Sequence, residues 1–267
     1  MSTESQRQIL RSTIHPNKAR IVTTSWDDGN RADLAVAELL AARGMKGTFY
    51  IPINYSERSL QNRELRDLSS AGFEIGGHGY SHKLLRGLSA NEMNDEIAPC
   101  KPVLEDITGM EVGMFCYPCG RYDEKVLEAL RAAGYRGART TRMLAMQAQF
   151  DNFEIPTTVQ AFPHRPVTYF KNVAKSGQFE YLKTLLSQRT RLGSWVELSK
   201  RMFDAVLAEG GVWHLYGHSW EIERLGLWNQ LREVLDYVAG HSSVQYAVNG
   251  ALVPAEAMAA RHAMANS

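Results

Sequence analysis

Cysteine is scarce in this sequence: three in 267 residues, too few for the disulfide framework that staples small secreted domains. No run approaches the ~18–20 consecutive apolar residues of a membrane-spanning helix. The first stretch, MSTESQRQILRSTIHPNKAR, has no apolar core and does not read as a signal peptide. Charge of one sign is not in excess either, since 30 Lys+Arg against 29 Asp+Glu leave a formal net charge of +1. Without a basic stripe or a polybasic cluster, neither nucleic acid nor a membrane surface is an expected partner. Together these absences predict a cytoplasmic protein of a reducing compartment, which would meet any glycan before export.

What is present is a hydrophobic share of 44% and a charged share of 22%, the composition of a globular chain with a sizeable core. Residues 1–18 read as a polar lead-in, and 19–267 as one domain without linker or internal repeat. Strand-like runs at 20–26, 46–51, 73–75, 112–117, 135–139, 153–155, 212–216 and 244–248 alternate with helical patterns. The helices are expected over 32–43, 64–70, 123–133, 196–208 and 228–238. One more starts from a Ser89/Glu92 capping box and runs toward Gly109, with Pro99 and Pro102 bending or interrupting it. The segment 161–191 fits the alternation poorly and reads as an insertion that carries a helix and could act as a lid. Strands alternating with helices argue for a parallel sheet and one barrel-like α/β domain.

In such a barrel the chemistry sits at the C-terminal ends of the strands, where the notable polar residues fall. Two histidines four apart, His78 and His82, can point the same way and offer neutral imidazole to a metal; the three nearby glycines suggest a tight turn. An isolated pair of this kind is more often two polar loop residues. Adjacent carboxylates at the end of the first strand, Asp27 and Asp28, repel each other, and a cation ligated by one relieves the conflict. Asp-Asp-Gly is also ordinary turn chemistry. Taken together, two nitrogens and one oxygen make the donor set of an open catalytic site of the zinc type. His218 follows a late strand and is the better acid or base candidate, whereas His214 lies within that strand and reads as a structural, hydrogen-bonded histidine.

Ser25-Trp26-Asp27-Asp28-Gly29, His78-Gly79-Tyr80-Ser81-His82, Cys116-Tyr117-Pro118-Cys119-Gly120 and Leu215-Tyr216-Gly217-His218 occur in this order. They resemble the motifs TFDDG, H-S/T-x-x-H, R-x-P-Y-G and L-x-H (or F-Y-T-H) of the polysaccharide deacetylases, carbohydrate esterase family 4 with its chitooligosaccharide-deacetylase homology domain. The resemblance spans about residues 20–220. It implies a distorted (β/α)7 barrel, one divalent metal (zinc foremost, with cobalt, manganese, nickel or iron as alternatives) and hydrolysis of an acetamide. By the same resemblance Asp27 corresponds to the general base, Asp28, His78 and His82 to the metal ligands, and His218 to the general acid. Pro118, Cys119 and Gly120 correspond to the groove wall that offers a backbone N–H to the oxyanion.

Departures from the pattern are specific. The motif arginine that orients the base is Cys116 here, with Arg121, Arg139 and Arg142 as candidate replacements, and the motif tyrosine is Cys119. The motif with an Asp-Trp pair has no match, which leaves Glu221 or Glu154 to orient His218. Cys116 and Cys119 also form a CxxC, but with no second CxxC two groove-lining thiols are the simpler reading. Trp26, Trp213 and Trp220 are core aromatics or a sugar-stacking wall.

The expected substrate is an N-acyl, chiefly N-acetyl, amino sugar. The polar N-terminus, the reshaped groove motif and a locally basic insertion (His164, Arg165, Lys171, Lys175, Lys183, Arg189 and Arg191) favour a nucleotide- or lipid-linked sugar of surface polysaccharide, such as lipopolysaccharide, biosynthesis. The alternatives are an allantoinase-like hydrolase of a small ureide or cyclic amide, and a sugar-binding relative without catalysis. No pattern in the sequence encodes an oligomeric state.

Overall fold

A computed structural model describes residues 19–176 and 194–253. The lead-in 1–18 and the 177–191 part of the insertion lie outside the described residues. The strands are β1 (Arg20–Asp27), β2 (Thr48–Ile51), β3 (Glu74–Gly77), β4 (Met114–Cys116), β5 (Gly137–Arg139), β6 (Val159–Gln160), β7 (Gly211–Gly217) and β8 (Gln245–Ala247). Every strand pair is parallel. Seven strands follow the path β5-β4-β3-β2-β1-β7-β6, and β8 branches from β1. β2 pairs with residues 25–27 of β1, and β8 with residues 21–23, so the two share one edge of the central strand. This curled parallel sheet with its helices is the distorted (β/α)7 barrel that the motifs implied.

The helices are α1 (Asp33–Ala41), α2 (Asn62–Ser70), α3 (Ala90–Ile97), α4 (Cys100–Thr108), α5 (Glu124–Ala132), α6 (Pro166–Ser176), α7 (Trp195–Glu209), α8 (Ser219–Leu225) and α9 (Trp228–Val238). Local chemistry sets their ends. The Ser89/Glu92 capping box is formed, and the helix it starts stops at Ala98 before Pro99. Pro102 then falls in the first turn of α4, where no intrahelical N–H is required.

One expectation is corrected. The strand expected at 153–155 is a single parallel bridge, Arg139↔Ile155, because Pro156 follows and cannot donate to a ladder. From there the chain crosses to β7, with Thr158 N–H donating to His214 O at 2.9 Å, and so spans the gap between β5 and the other edge of the sheet. β6 and α8, which periodicity did not reveal, are two and seven residues long, too short to carry a period.

Trp26 and Trp213 are fully buried and belong to the core, not to a sugar-stacking wall; the Trp213 indole donates to Ser199 O at 2.9 Å. No helix among the described residues is long and apolar enough to cross a membrane.

His214 is structural, as expected. Its Nδ1–H donates to Pro156 O at 3.2 Å, which leaves Nε2 to accept from the Ser25 hydroxyl at 2.8 Å. Burial, with Arg139 nearby, depresses its pKa from 6.5 to about 3. The unfolded chain therefore binds a proton that the native state refuses between those values, so this contribution to stability is complete above 6.5 and is lost as pH falls toward 3. Denaturant unfolding at stepped pH is expected to show a shallower loss between about pH 6 and about pH 4 for His214→Gln than for the parent. Equal slopes would show that His214 does not carry the linkage.

Candidate active site

The side chains singled out by sequence converge at the C-terminal mouth of the barrel. β1 delivers Asp27, and the chain then turns through Asp28 and Gly29, both left-handed at φ 76° and 57°. β3 delivers His78, and the turn through Gly79 (φ 82°) returns His82 (φ 60°) to the same point. Only this glycine serves the turn. Gly76, by contrast, lies within β3, where a Cβ would stand 2.6 Å from the Tyr50 ring, so its role is close packing. Of the four non-glycine residues with positive φ among the described residues, three are Asp28, His82 and Cys119, which places backbone strain at the site.

Asp28 Oδ1 lies 3.5 Å from His78 Nε2 and 3.2 Å from His82 Nε2. The three donor atoms all fall within 4.8 Å of one another. Tetrahedral coordination with bonds of ~2.1 Å sets neighbouring donors ~3.4 Å apart. Asp28 Oδ1 is buried with no hydrogen-bond partner among the described residues, an arrangement that is costly unless a cation uses it. The other oxygen, Oδ2, accepts the Trp220 indole N–H at 2.8 Å. His78 Nδ1 donates to Cys116 O at 2.8 Å, which turns Nε2 toward the cluster. Burial opposes charge on His78, but Cys116 and Asp28 draw its pKa well above the usual value; burial and His78 together lower that of His82. The pocket thus favours one positive charge, and its donor set fits a divalent ion.

Asp27 is treated differently. It is 3% exposed, and Oδ1 is paired with Arg139, itself fully buried. Burial alone would raise its pKa, but Arg139, His78 and His218 outweigh that and hold the carboxyl below its ordinary value. The Cys116 thiol donates to Oδ2 at 3.8 Å. Of the three candidate arginines, Arg139 is therefore the one that pairs with Asp27. Its position explains why: Cys116 and Arg139 are register partners on β4 and β5, with side chains on the same face. Arg142 pairs instead with Glu154 at 2.6 Å, and Arg121 is exposed without an ion pair among the described residues.

His218 Nε2 stands 3.9 Å from Asp27 Oδ2 and 4.0 Å from Asp28 Oδ2. Its Nδ1 donates to Glu221 Oε2 at 2.8 Å, so Glu221 is the orienting carboxylate, while Glu154 accepts from Tyr122 and Arg142. Burial lowers the His218 pKa, but Glu221, Asp27 and Asp28 raise it on balance. Pro118, Cys119 and Gly120 form a tight turn at the end of β4, in which Gly120 N–H donates to Tyr117 O at 2.8 Å. Outside this turn, the Cys119 N–H makes no backbone hydrogen bond among the described residues. The Cys116 thiol is buried and that of Cys119 exposed.

Trp220 was not foreseen as a partner of Asp28, and its only signal was nearness to His218 in sequence. Arg139 was legible as the arginine ending the strand beside Cys116, although spacing alone did not single it out.

The polysaccharide deacetylase family model matches residues 15–138, the stretch that carries the first three motifs. A Bacillus subtilis (strain 168) protein, "Putative polysaccharide deacetylase YxkH", is 28% identical over 126 residues, which span 46% of this chain and 45% of that protein's own length. Among solved structures, a "putative polysaccharide deacetylase from Mycobacterium smegmatis" is 19% identical, with a TM-score of 0.63 over 92% of this chain and 93% of that one. The chitin deacetylase of the fungal pathogen Colletotrichum lindemuthianum is 14% identical, with a TM-score of 0.58 over 89% and 88%. At these identities the structures show a shared fold. The ureide-hydrolase alternative gains no support from these comparisons.

Removing Arg139 would leave Asp27 buried and unpaired. Arg139→Met is expected to cost roughly 3–5 kcal/mol of stability, and Asp27→Asn in the same chain to restore part of it. Denaturant titration of both single variants and the double variant measures the coupling, and strictly additive losses would contradict the pairing.

Proposed function

From the polysaccharide deacetylase match over residues 15–138, we propose that this protein is a metal-dependent hydrolase that removes an N-acyl group, chiefly acetyl, from an amino sugar. The observation that carries this reading is the buried, unpartnered Asp28 Oδ1 facing two imidazole Nε2 atoms, with an ionised carboxylate and an oriented histidine beside it. Asp28, His78 and His82 would hold one divalent ion, which supplies Lewis acidity toward the acyl carbonyl and the attacking water.

The chain's own residues supply the proton transfers. Asp27, kept ionised by Arg139, takes the proton from the water as it attacks. His218, with its Nδ1–H fixed on Glu221 and its pKa raised, gives a proton from Nε2 to the leaving amine, which is too basic to depart otherwise. The turn of Pro118, Cys119 and Gly120 offers a backbone N–H to the developing oxyanion, a contribution typically worth about 3 kcal/mol.

A finer reading concerns what the sugar carries. The Arg224 guanidinium lies over the ring of Trp220, 5.0 Å from its centroid, and it is Trp220 that contacts Asp28 and His218. Arg224 is exposed and has no ion-pair partner among the described residues. Such a guanidinium suits a phosphate through charge-assisted hydrogen bonds. A nucleotide- or lipid-linked amino sugar, met in the cytoplasm during surface polysaccharide assembly, fits that chemistry.

Metal analysis is expected to find one divalent ion per chain, absent from His78→Ala and His82→Ala. Asp27→Asn and His218→Ala should retain the ion and lose about 100-fold or more in turnover. Full occupancy in both histidine variants would reject the metal site.

The substrate is tested by one panel of N-acetylated chitin fragments, peptidoglycan fragments and nucleotide- or lipid-linked N-acyl sugars, assayed under one condition. The linked sugars are expected to be hydrolysed fastest, with Arg224→Ala raising KM for them about tenfold. A preference for chitin fragments, untouched by Arg224→Ala, would reject the finer reading and leave the hydrolase standing.

A further inference from the structure

A chain of hydrogen bonds runs outward from His218 to a residue the mechanism has not used. Glu221 Oε2, which accepts from His218 Nδ1, also accepts from Gln160 Nε2 at 3.4 Å. The other end of that amide is occupied twice: Gln160 Oε1 accepts the Tyr216 hydroxyl at 2.7 Å and His164 Nε2–H at 2.7 Å. Two donors on Oε1 fix the orientation of the amide, so its N–H must face Glu221. Gln160 is 8% exposed and Tyr216 3% exposed. The pair is also set by register, Gln160 on β6 lying beside Tyr216 on β7. Burial lowers the pKa of His164, in keeping with a neutral imidazole whose one N–H is spent on Gln160.

We propose that Gln160 is a positioning residue for proton delivery: it holds the Glu221 carboxylate in place, and through it the imidazole of His218, aimed at the leaving amine. A carboxylate three residues from its histidine on a seven-residue helix has several staggered rotamers available. The Gln160 amide selects the one that meets His218 Nδ1. His164, just ahead of α6, keeps the amide from flipping, so the start of the inserted segment is tied to the acid. This inference rests on the hydrolase reading given above.

The test exploits the leaving group. An amine must be protonated to depart, whereas the phenolate of para-nitrophenyl acetate leaves unaided. Gln160→Leu is expected to lower kcat on the best N-acyl sugar of the panel about tenfold, with KM and metal content unchanged. On para-nitrophenyl acetate the same variant should lose less than about twofold. Gln160→Glu, of nearly the same size, puts a second carboxylate against Glu221 and should show the same selective loss, which covers the case in which the leucine variant does not fold. Parallel losses on both substrates, or no loss on the amide, would overturn the role. NMR of the His218 Nδ1 proton in the parent and in Gln160→Glu gives a reading independent of activity. A shifted or faster-exchanging resonance supports the role, and an unchanged one overturns it, even if no N-acyl sugar proves to be a substrate.

Discussion

The ion pair between Asp27 and Arg139 is the constraint around which the mouth of this barrel is arranged. A carboxylate at 3% exposure stays ionised only if a counter-charge shares its burial. Arg139 meets that demand from β5, at the end of the strand path, while Asp27 belongs to β1 near its middle. The guanidinium lies over the rings of Tyr50 and Tyr216, 5.3 and 4.8 Å from their centroids, so two aromatic faces serve a cation whose Nε and Nη1 have no hydrogen-bond acceptor among the described residues. One interaction therefore both joins distant strands across the barrel interior and sets the protonation state of the candidate base.

The neighbouring carboxylates are separated in role by their surroundings, a familiar way of making two acids do different work. Asp27 has a permanent cation within the barrel. Asp28, turned by left-handed backbone, has an indole on one oxygen and the imidazoles of His78 and His82 facing the other. Tyr216 connects the two halves of the chemistry, since its ring supports Arg139 and its hydroxyl supports Gln160. A change at that tyrosine would reach the base and the acid together.

Much of this was readable in the chain. The alternation of elements, the capping box at Ser89, the convergence of Asp28, His78 and His82, and the structural character of His214 all follow from local pattern and composition. The unread parts share a cause. Arg139 reaches Asp27 across 112 residues of sequence, and β6 and α8 are too short to show a period. The bridge at Ile155 looked like a strand because its residues have strand composition, yet Pro156 ends the ladder. Trp220 binding Asp28, and Gln160 binding Glu221, are choices made by packing, which no spacing rule specifies.

The register pairing of Cys116 with Arg139 bears on how related chains should be compared. Judged column by column, a cysteine at 116 counts as the loss of a functional group and suggests a decayed enzyme. Judged in space, a positive charge on the neighbouring strand reaches Asp27. In a parallel sheet each interior position has a neighbour of like orientation less than a side chain's length away, so a charge can migrate between lineages without leaving the site. What a lineage of such barrels inherits, on this view, is an occupied volume beside the aspartate, and the residue number that fills it is free to drift.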